Sequence, residues 1–378
     1  MKVVFLCGSL EPGHDGVGDY TRRLAGELKR QGKQIFMIAI NERNLTGLYV
    51  QGEQESEGTA IPVLRISGRI NYRKRLQVAK QWIDAVDPDW LSLQYVPFSF
   101  HPKGAHIFLG RFLRRLGRHR RWHIMFHELW TGMDKESSKK HYWLGKIHRL
   151  LIKSLINTLN PAVIHTHTHV YLEKIAGLGY KANYLPLFSN IPFFEQESTS
   201  NPDDININRE NKLLFVLFGG IHRNAPVAQL ASDLVRYEKS NKTRVLLIII
   251  GRNGPMQKQW TSIWALNGLE LVLMGEQSPM MISKILHSAS IGISTTPIQL
   301  AEKSGSVAAM REHQLPVLCV SRTWKARGIK NPEPPESIVE YKSGKLEECL
   351  AKAFKGKYAF NKITEVSHSL SDALTSCR

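Results

Sequence analysis

The chain has 378 residues, 42% of them hydrophobic, with 51 Lys and Arg against 33 Asp and Glu. That length suits two domains with a core each, and that apolar share excludes disordered and fibrous classes. The formal net charge of +18 attracts polyanions, whether anionic lipid, nucleic acid or phosphorylated small molecules.

In chain order, the first half alternates strand and helix patterns. Strands are expected near 2–7, 34–39, 62–66, 90–94, 123–126, 162–165 and 183–185, with helices over 19–30, 72–86, 105–116, 138–159 and 169–176. The polar stretch 195–209 reads as a linker, rich in Ser, Asn, Asp and a Pro. Strands then recur near 212–217, 244–250, 270–273, 291–294 and 316–320, with helices over 226–238, 256–266, 279–287, 304–313 and 346–354. Such alternation predicts parallel sheets covered by helices. The expected domains are 1–195, 196–355 and a final helical segment, 356–378, packing back on the first.

No apolar run approaches the ~20 residues that span a bilayer. No leader pattern opens the chain, so a cytoplasmic location is expected. Cys7, Cys319, Cys349 and Cys377 lack metal-ligand spacing and suit a reducing compartment.

Two glycine turns each follow a strand and open a helix. One runs from Gly8 through Gly13, Asp15, Gly16, Val17 and Gly18 to Asp19; the other is Gly219-Gly220-Ile221-His222-Arg223. A turn of this kind aims backbone N–H groups and the positive end of a helix dipole at one spot, which suits phosphate. Ser304-Gly305-Ser306 repeats the theme, with Ser304 as N-cap and Lys303 just before it.

Several stretches together resemble the GT-B glycosyltransferases, and more closely the retaining family four of that class. They are the loop 13–18 with its helix to Gly32, His127-Glu128 after a strand, Phe218-Gly219-Gly220, the run 271–276 ending Gly275-Glu276, and Lys303 through Val317. The resemblance implies an α/β fold with two Rossmann-like αβα domains facing across a cleft. The first would bind an acceptor, a glycan, lipid-linked or small molecule, and the second a nucleotide-diphosphate sugar. It implies a glycosyltransferase with no metal and no cofactor, transferring a hexose with retention.

Carried onto this chain, the resemblance assigns His127 to the transferred sugar. Arg223 and Lys303 would meet the charge that grows on the departing diphosphate. Gly16 and Val17 from the first domain, and Gly219, Gly220, Gly275, Glu276, Ser304, Gly305 and Ser306 from the second, would hold the donor. The family's paired donor-site glutamates would fall near Ala301 and Ala309; here Glu302 and Glu312 stand close by at a different spacing. Asp15 and Glu128 are assigned to the acceptor side, with helix capping the competing role for an aspartate there.

One helix carries Arg111, Arg114, Arg115 and Arg118 on one face and Leu109, Phe112, Leu113 and Leu116 on the other. That face suits an anionic membrane surface, so a peripheral position at the inner face of the cytoplasmic membrane is expected. His165, His167 and His169 alternate and would share a strand face, at a cleft rim or in a structural role. Two rival readings remain: a GT-B-shaped binding or scaffold protein without activity, and a nucleic-acid binder. The second is disfavoured because no exposed aromatics interleave the arginines.

Overall fold

The computed structural model describes residues 1–117, 119–194, 212–330, 333, 337–356 and 360–377. The chain divides into two compact units. One comprises Met1–Pro186, Lys325–Lys330 and Lys362–Arg378; the other comprises Leu187–Trp324 and Asn331–Asn361. The expected linker, 195–209, lies outside the described residues.

The first unit contains β1 (Lys2–Cys7), α1 (Gly16–Arg30), β2 (Gln34–Glu42), β3 (Tyr49–Ser56), β4 (Thr59–Ser67), α2 (Tyr72–Val86), β5 (Trp90–Tyr95) and the single turn α3 (Pro97–Phe100). It continues with α4 (Leu109–Gly117), β6 (Arg121–Phe126), α5 (Lys139–Leu159), β7 (Val163–Thr166), α6 (His169–Ala176) and β8 (Asn183–Tyr184). The sheet order is β3-β4-β2-β1-β5-β6-β7-β8, parallel except for β3, which runs antiparallel to β4. Strand β3 was not expected, because its sequence YVQGEQES has no apolar run. It forms on the sheet edge because a tight turn at Glu57-Gly58, both with positive φ, folds it back along β4.

The second unit contains β9 (Lys212–Phe218), α7 (Val227–Asn241), β10 (Arg244–Ile250), α8 (Gln257–Leu266), β11 (Glu270–Gly275), α9 (Pro279–Ser288) and β12 (Ile291–Ser294). A 3-10 turn (Ile298–Lys303), α10 (Gly305–Glu312), β13 (Val317–Cys319), β14 (Ile338–Glu340) and α11 (Leu346–Lys355) follow. Its six strands are all parallel, in the order β11-β10-β9-β12-β13-β14. The last helix, α12 (Ile363–Ser376), belongs to the first unit, where Gln31 Nε2 donates to Ser367 Oγ at 2.7 Å.

Strands β9 and β10 are apolar at every inner position because helices cover both faces. Phe215, Leu217, Leu247 and Ile249 pack with Trp260 and Trp264 on one side. Leu214, Val216, Leu246 and Ile248 pack with Ile282, Leu286 and Met310 on the other.

Truncating a wholly buried side chain leaves a cavity as well as losing transfer energy. Ile249→Ala is expected to destabilise the second unit by about 2–5 kcal/mol. Leu266→Ala, at a side chain 86% exposed, should stay within about 0.5 kcal/mol of the parent. Denaturant unfolding of the two variants side by side checks this.

Candidate functional site

In an open parallel sheet, ligands bind at the carboxyl ends of the strands where the order reverses. In the first unit that place lies between β1 and β5, β2 being paired on the other side of β1. Gly8 follows β1, and a Cβ there would stand 2.5 Å from Ser99 Cβ, so only glycine lets the segment after β5 close over it. Glu42, fully buried, holds the loop. One carboxylate oxygen accepts from Leu10 N at 2.7 Å and Arg65 Nε at 2.9 Å, and the other accepts from Ser9 Oγ at 2.8 Å. Burial pushes the Glu42 carboxyl up, against the bonds from Leu10 and Ser9 that pull it down.

Asp15 is the N-cap of α1. Its Oδ1 accepts from Val17 N at 2.9 Å and Gly18 N at 3.2 Å. Asp15, expected on the acceptor side, thus caps α1 and holds the amide of Val17, expected on the donor side. The helix accordingly starts at Gly16, three residues earlier than the apolar pattern suggests. Asp19 accepts from Gly13 N at 3.0 Å and pairs with Arg22 at 2.7 Å.

His127 follows β6, its backbone N–H donating to Tyr95 O at 3.1 Å. Its ring lies in a buried polar chain that crosses β5, β6 and β7. His127 Nε2 is 2.9 Å from the Gln94 amide, and Nδ1 is 3.0 Å from His167 Nε2. His167 Nδ1 donates to Leu185 O at 2.9 Å. On the other side Gln94 reaches Ser92 Oγ at 2.8 Å, Ser92 reaches His123 Nδ1 at 2.7 Å, and His123 Nε2 reaches His165 Nδ1 at 3.0 Å. Proton count constrains this chain. With the Gln94 carbonyl on His127, the two facing nitrogens of His127 and His167 must share an added proton. With the amide turned, every member is neutral and all donors run from His165 toward Leu185, the form that burial favours.

Tyr20 stands edge-on to His127 and His167, at centroid distances of 4.9 and 5.2 Å. The sequence offered one signal for this network that was missed. Ser92 and Gln94 are polar, two residues apart in an otherwise apolar strand, and so share a face. The three alternating histidines do not share one. Strand β7 stops at Thr166, His165 joins His123, His167 joins His127, and His169 opens α6 and stacks on Tyr184 at 4.5 Å.

In the second unit the order reverses between β9 and β12, both of which carry loops at the same edge. Gly219 has φ +89, a left-handed turn that glycine takes without strain. Its amide donates to Ile250 O at 3.1 Å, and Asn253 Nδ2 donates to its carbonyl at 2.7 Å. A Cβ on Gly219 would lie 3.6 Å from Ser306 Cβ, so the glycine turn and the start of α10 are in contact range. Ser304 caps α10 and lies 3.1 Å from Ser306 Oγ. The first amides of the helix, those of Gly305 and Ser306, have no carbonyl within the helix to bond.

Thr295, after β12, joins the two loops: its Oγ1 accepts from His222 N at 2.9 Å and donates to Gly220 O at 3.2 Å. Burial, then the charges of Lys303 and Arg322, hold the His222 imidazole below its ordinary value. Lys303 therefore projects its field onto the glycine turn. Arg223 is exposed beside His222, and Glu302 is half-buried in the 3-10 turn. Gly275 has φ +64 and accepts from Gly251 N at 2.6 Å, while Glu276 pairs with Arg252 at 3.0 Å. Glu312 is separated from this group. It ends α10, whose eight residues place it about 10 Å along the axis from Gly305. Gln314, two residues before Pro316, adopts φ +55, the conformation for which glycine is the usual residue.

Helix α4 exposes Arg111, Arg114 and Arg115 and buries Leu109, Phe112, Leu113 and Leu116. Arg118 lies outside the described residues. Glu128 is half-buried just past His127. Among the described residues, no helix is long and apolar enough to cross a membrane.

No family model and no curated protein matches the chain. Solved structures do. Anabaena Alr3699/HepE in complex with UDP and glucose is 14% identical at a TM-score of 0.59, over 99% of this chain and 96% of that one. WaaG, a glycosyltransferase involved in lipopolysaccharide biosynthesis, is 11% identical at 0.54, over 99% and 98%. The UDP-N-acetylglucosamine 2-epimerase from Rickettsia bellii is 11% identical at 0.53, over 100% and 96%. These likenesses show the fold, which is GT-B, an α/β architecture of two Rossmann-like domains.

The buried His123–His165 pair gives the first unit a pH signature. Burial, and then the charge of His165, hold His123 well below 6.5; burial lowers His165 to about 4. In the unfolded chain both take up protons near pH 6.5, while the native state does not. Stability is therefore expected to fall as pH drops from about 6.5 toward about 4. Thermal melts across that range should show a shallower fall in His165→Asn than in the parent.

Proposed function

We propose that this GT-B chain is a glycosyltransferase that moves a hexose from a nucleotide-diphosphate sugar to a glycan, lipid-linked or small-molecule acceptor. The observation that carries the reading is the grouping at the reversal point of the second sheet. There the Gly219-Gly220 turn, Lys303, and the first amides of α10, those of Gly305 and Ser306, share one edge of β9 and β12. Breaking a glycosidic bond to a diphosphate puts charge on the leaving group. Fixed cations and oriented N–H donors stabilise that charge more in the transition state than before it.

Within this reading the roles divide by unit. Lys303 and Arg223 hold the diphosphate with the amides of α10, and Glu302, Gly275 and Glu276 belong to the donor side. The first unit takes the acceptor, with Glu128 on that side. His127 is assigned beside the transferred sugar; because both its ring nitrogens are bonded, to Gln94 and to His167, a sugar hydroxyl reaches it only by displacing one of these partners. The reaction is assigned as retaining, the departing phosphate taking the acceptor's proton, and no protein nucleophile is required. Cations and amides do the electrostatic work, so no metal is called for. The structures of HepE with UDP and of the named glycosyltransferase WaaG support this reading through their shared fold.

Incubation with a panel of uridine, guanosine and adenosine diphosphate sugars tests it. At least one donor should bind and turn over, unaffected by EDTA, and Lys303→Ala should lower kcat by about 10²–10³. Donor binding without transfer or hydrolysis would favour a binding protein, and conversion of the donor to its epimer alone would exclude transfer.

The exposed arginines of α4 support a peripheral position on an anionic membrane. Each basic residue near such a surface contributes about 1 kcal/mol. Serine at Arg111, Arg114, Arg115 and Arg118 should weaken sedimentation with anionic vesicles, and unchanged sedimentation would end that assignment.

A further inference from the structure

A cavity of about 660 Å³ lies within the first unit, and the reading above makes no use of it. It is bounded by the loop after β6, one face of α5, the end of α6, and residues 327–329. Five cationic side chains line it against one carboxylate, Glu173.

The wall is built, not draped. Gly145, on α5, has no room for a side chain, since a Cβ would overlap the Thr131 carbonyl oxygen. Gly132, at φ +74, lies with its Cβ position 2.5 Å from His141 O. The loop backbone therefore rests directly on the start of α5. Tyr142, Lys146 and Arg149, at i, i+4 and i+7, all line the cavity. The opposite wall is tied down too: Asp134 bridges Ala326, Lys135 N donates to Lys325 O at 2.8 Å, and Arg327 N donates to Met133 O at 2.8 Å.

The cations are positioned by neutral groups. Arg327 Nε donates to Asp134 O at 2.8 Å, and its guanidinium lies 5.1 Å from the Tyr142 ring centroid. Lys146 Nζ lies 5.2 Å from the same ring, and Arg149 lies 5.4 Å from that of Trp130. Lys174 Nζ donates to Arg327 O. Among the described residues, none of Lys135, Lys146, Arg149, Lys174 and Arg327 is in a salt bridge. Burial, and then the Arg149 charge, lower the Lys174 ammonium, with Glu173 opposing. Like charges gathered in this way repel each other, and an anion of matching charge relieves the repulsion.

We propose that this cavity binds a phosphate-bearing organic anion, with Lys146, Arg149, Lys174 and Arg327 on the phosphate and Trp130 and Tyr142 against the organic part. The volume falls in the range of small-molecule sites and exceeds what inorganic phosphate would fill. Arginine and lysine together supply forked and single donors to phosphate oxygens. The proposal concerns binding alone and stands whether or not the chain transfers sugar. The phosphate could be carried by a soluble sugar or by a lipid. Trp143, Ile147 and Leu150, exposed at 62%, 49% and 69%, form a stripe on the neighbouring face of α5 where a lipid chain would lie.

Calorimetric titration of the full chain with a hexose phosphate, and sedimentation with phosphatidylcholine vesicles with and without phosphatidic acid, test the proposal and separate the sources. At least one probe should bind. Lys146→Glu with Arg149→Glu, both exposed and tolerant of change, should weaken it by at least about tenfold. Lys303→Ala, altered only in the second unit, should keep it. Loss of vesicle binding in Trp143→Ser with Leu150→Ser, with no hexose phosphate bound, would assign the lipid source; hexose phosphate binding untouched by that pair would assign the soluble one. Binding of neither probe, or binding that the double glutamate variant retains in full, overturns the proposal.

Discussion

Strand β9 lies between β10 and β12, in register with both, and every strand of its sheet points the same way. A parallel sheet delivers all its carboxyl ends to one edge. Where the chain turns outward in opposite directions from a central strand, the two following loops diverge and leave a crevice. The Gly219 turn, Thr295, Lys303 and Ser304 all owe their nearness to this pairing, although 75 residues or more separate the first from the others. The pairing itself depends on burial of both faces. Phe215 and Leu217 face one layer of helices, and Leu214 and Val216 face the other.

The charge excess divides into two populations with different physical roles. Some arginines are structural. Arg65 bonds Glu42 and Glu11, Arg75 reaches the carbonyls of Gly68 and Ile70, and Arg120 joins Asp84 and Asp87. These hold loops to strand ends and are satisfied within the fold. Others form no salt bridge among the described residues: the exposed arginines of α4 and the cavity cations beside α5, which face the single carboxylate of Glu173. The second population lies in the first unit, whose residues 1–186 hold 28 Lys and Arg against 15 Asp and Glu.

The buried chain from His165 to Leu185 shows how a parallel sheet can carry polar groups through its interior. Each member bonds the next, within β5 or between neighbouring strands and the loops that follow them, so the polar groups in that path face one another. Its cost is a loss of freedom: once Leu185 O fixes the proton on His167, the tautomer of every neutral member follows. That gives His127 a defined donor and acceptor side, both taken up within the chain by His167 and Gln94.

Local pattern alone was enough to establish the alternation of strands and helices, the two glycine turns, the Ser304 cap and the two-faced character of α4. These depend on side-chain periodicity and on backbone requirements that extend over only a few residues. Strand β3 was invisible because a polar edge strand is held by its partner and not by its own composition. The Asp15 cap, the Glu42 clamp, the histidine chain and the cationic cavity were decided by tertiary structure. Their members are distant along the chain, such as Arg327 beside Tyr142 or Gln94 beside His127, and come together only when pairing register fixes which strand ends adjoin.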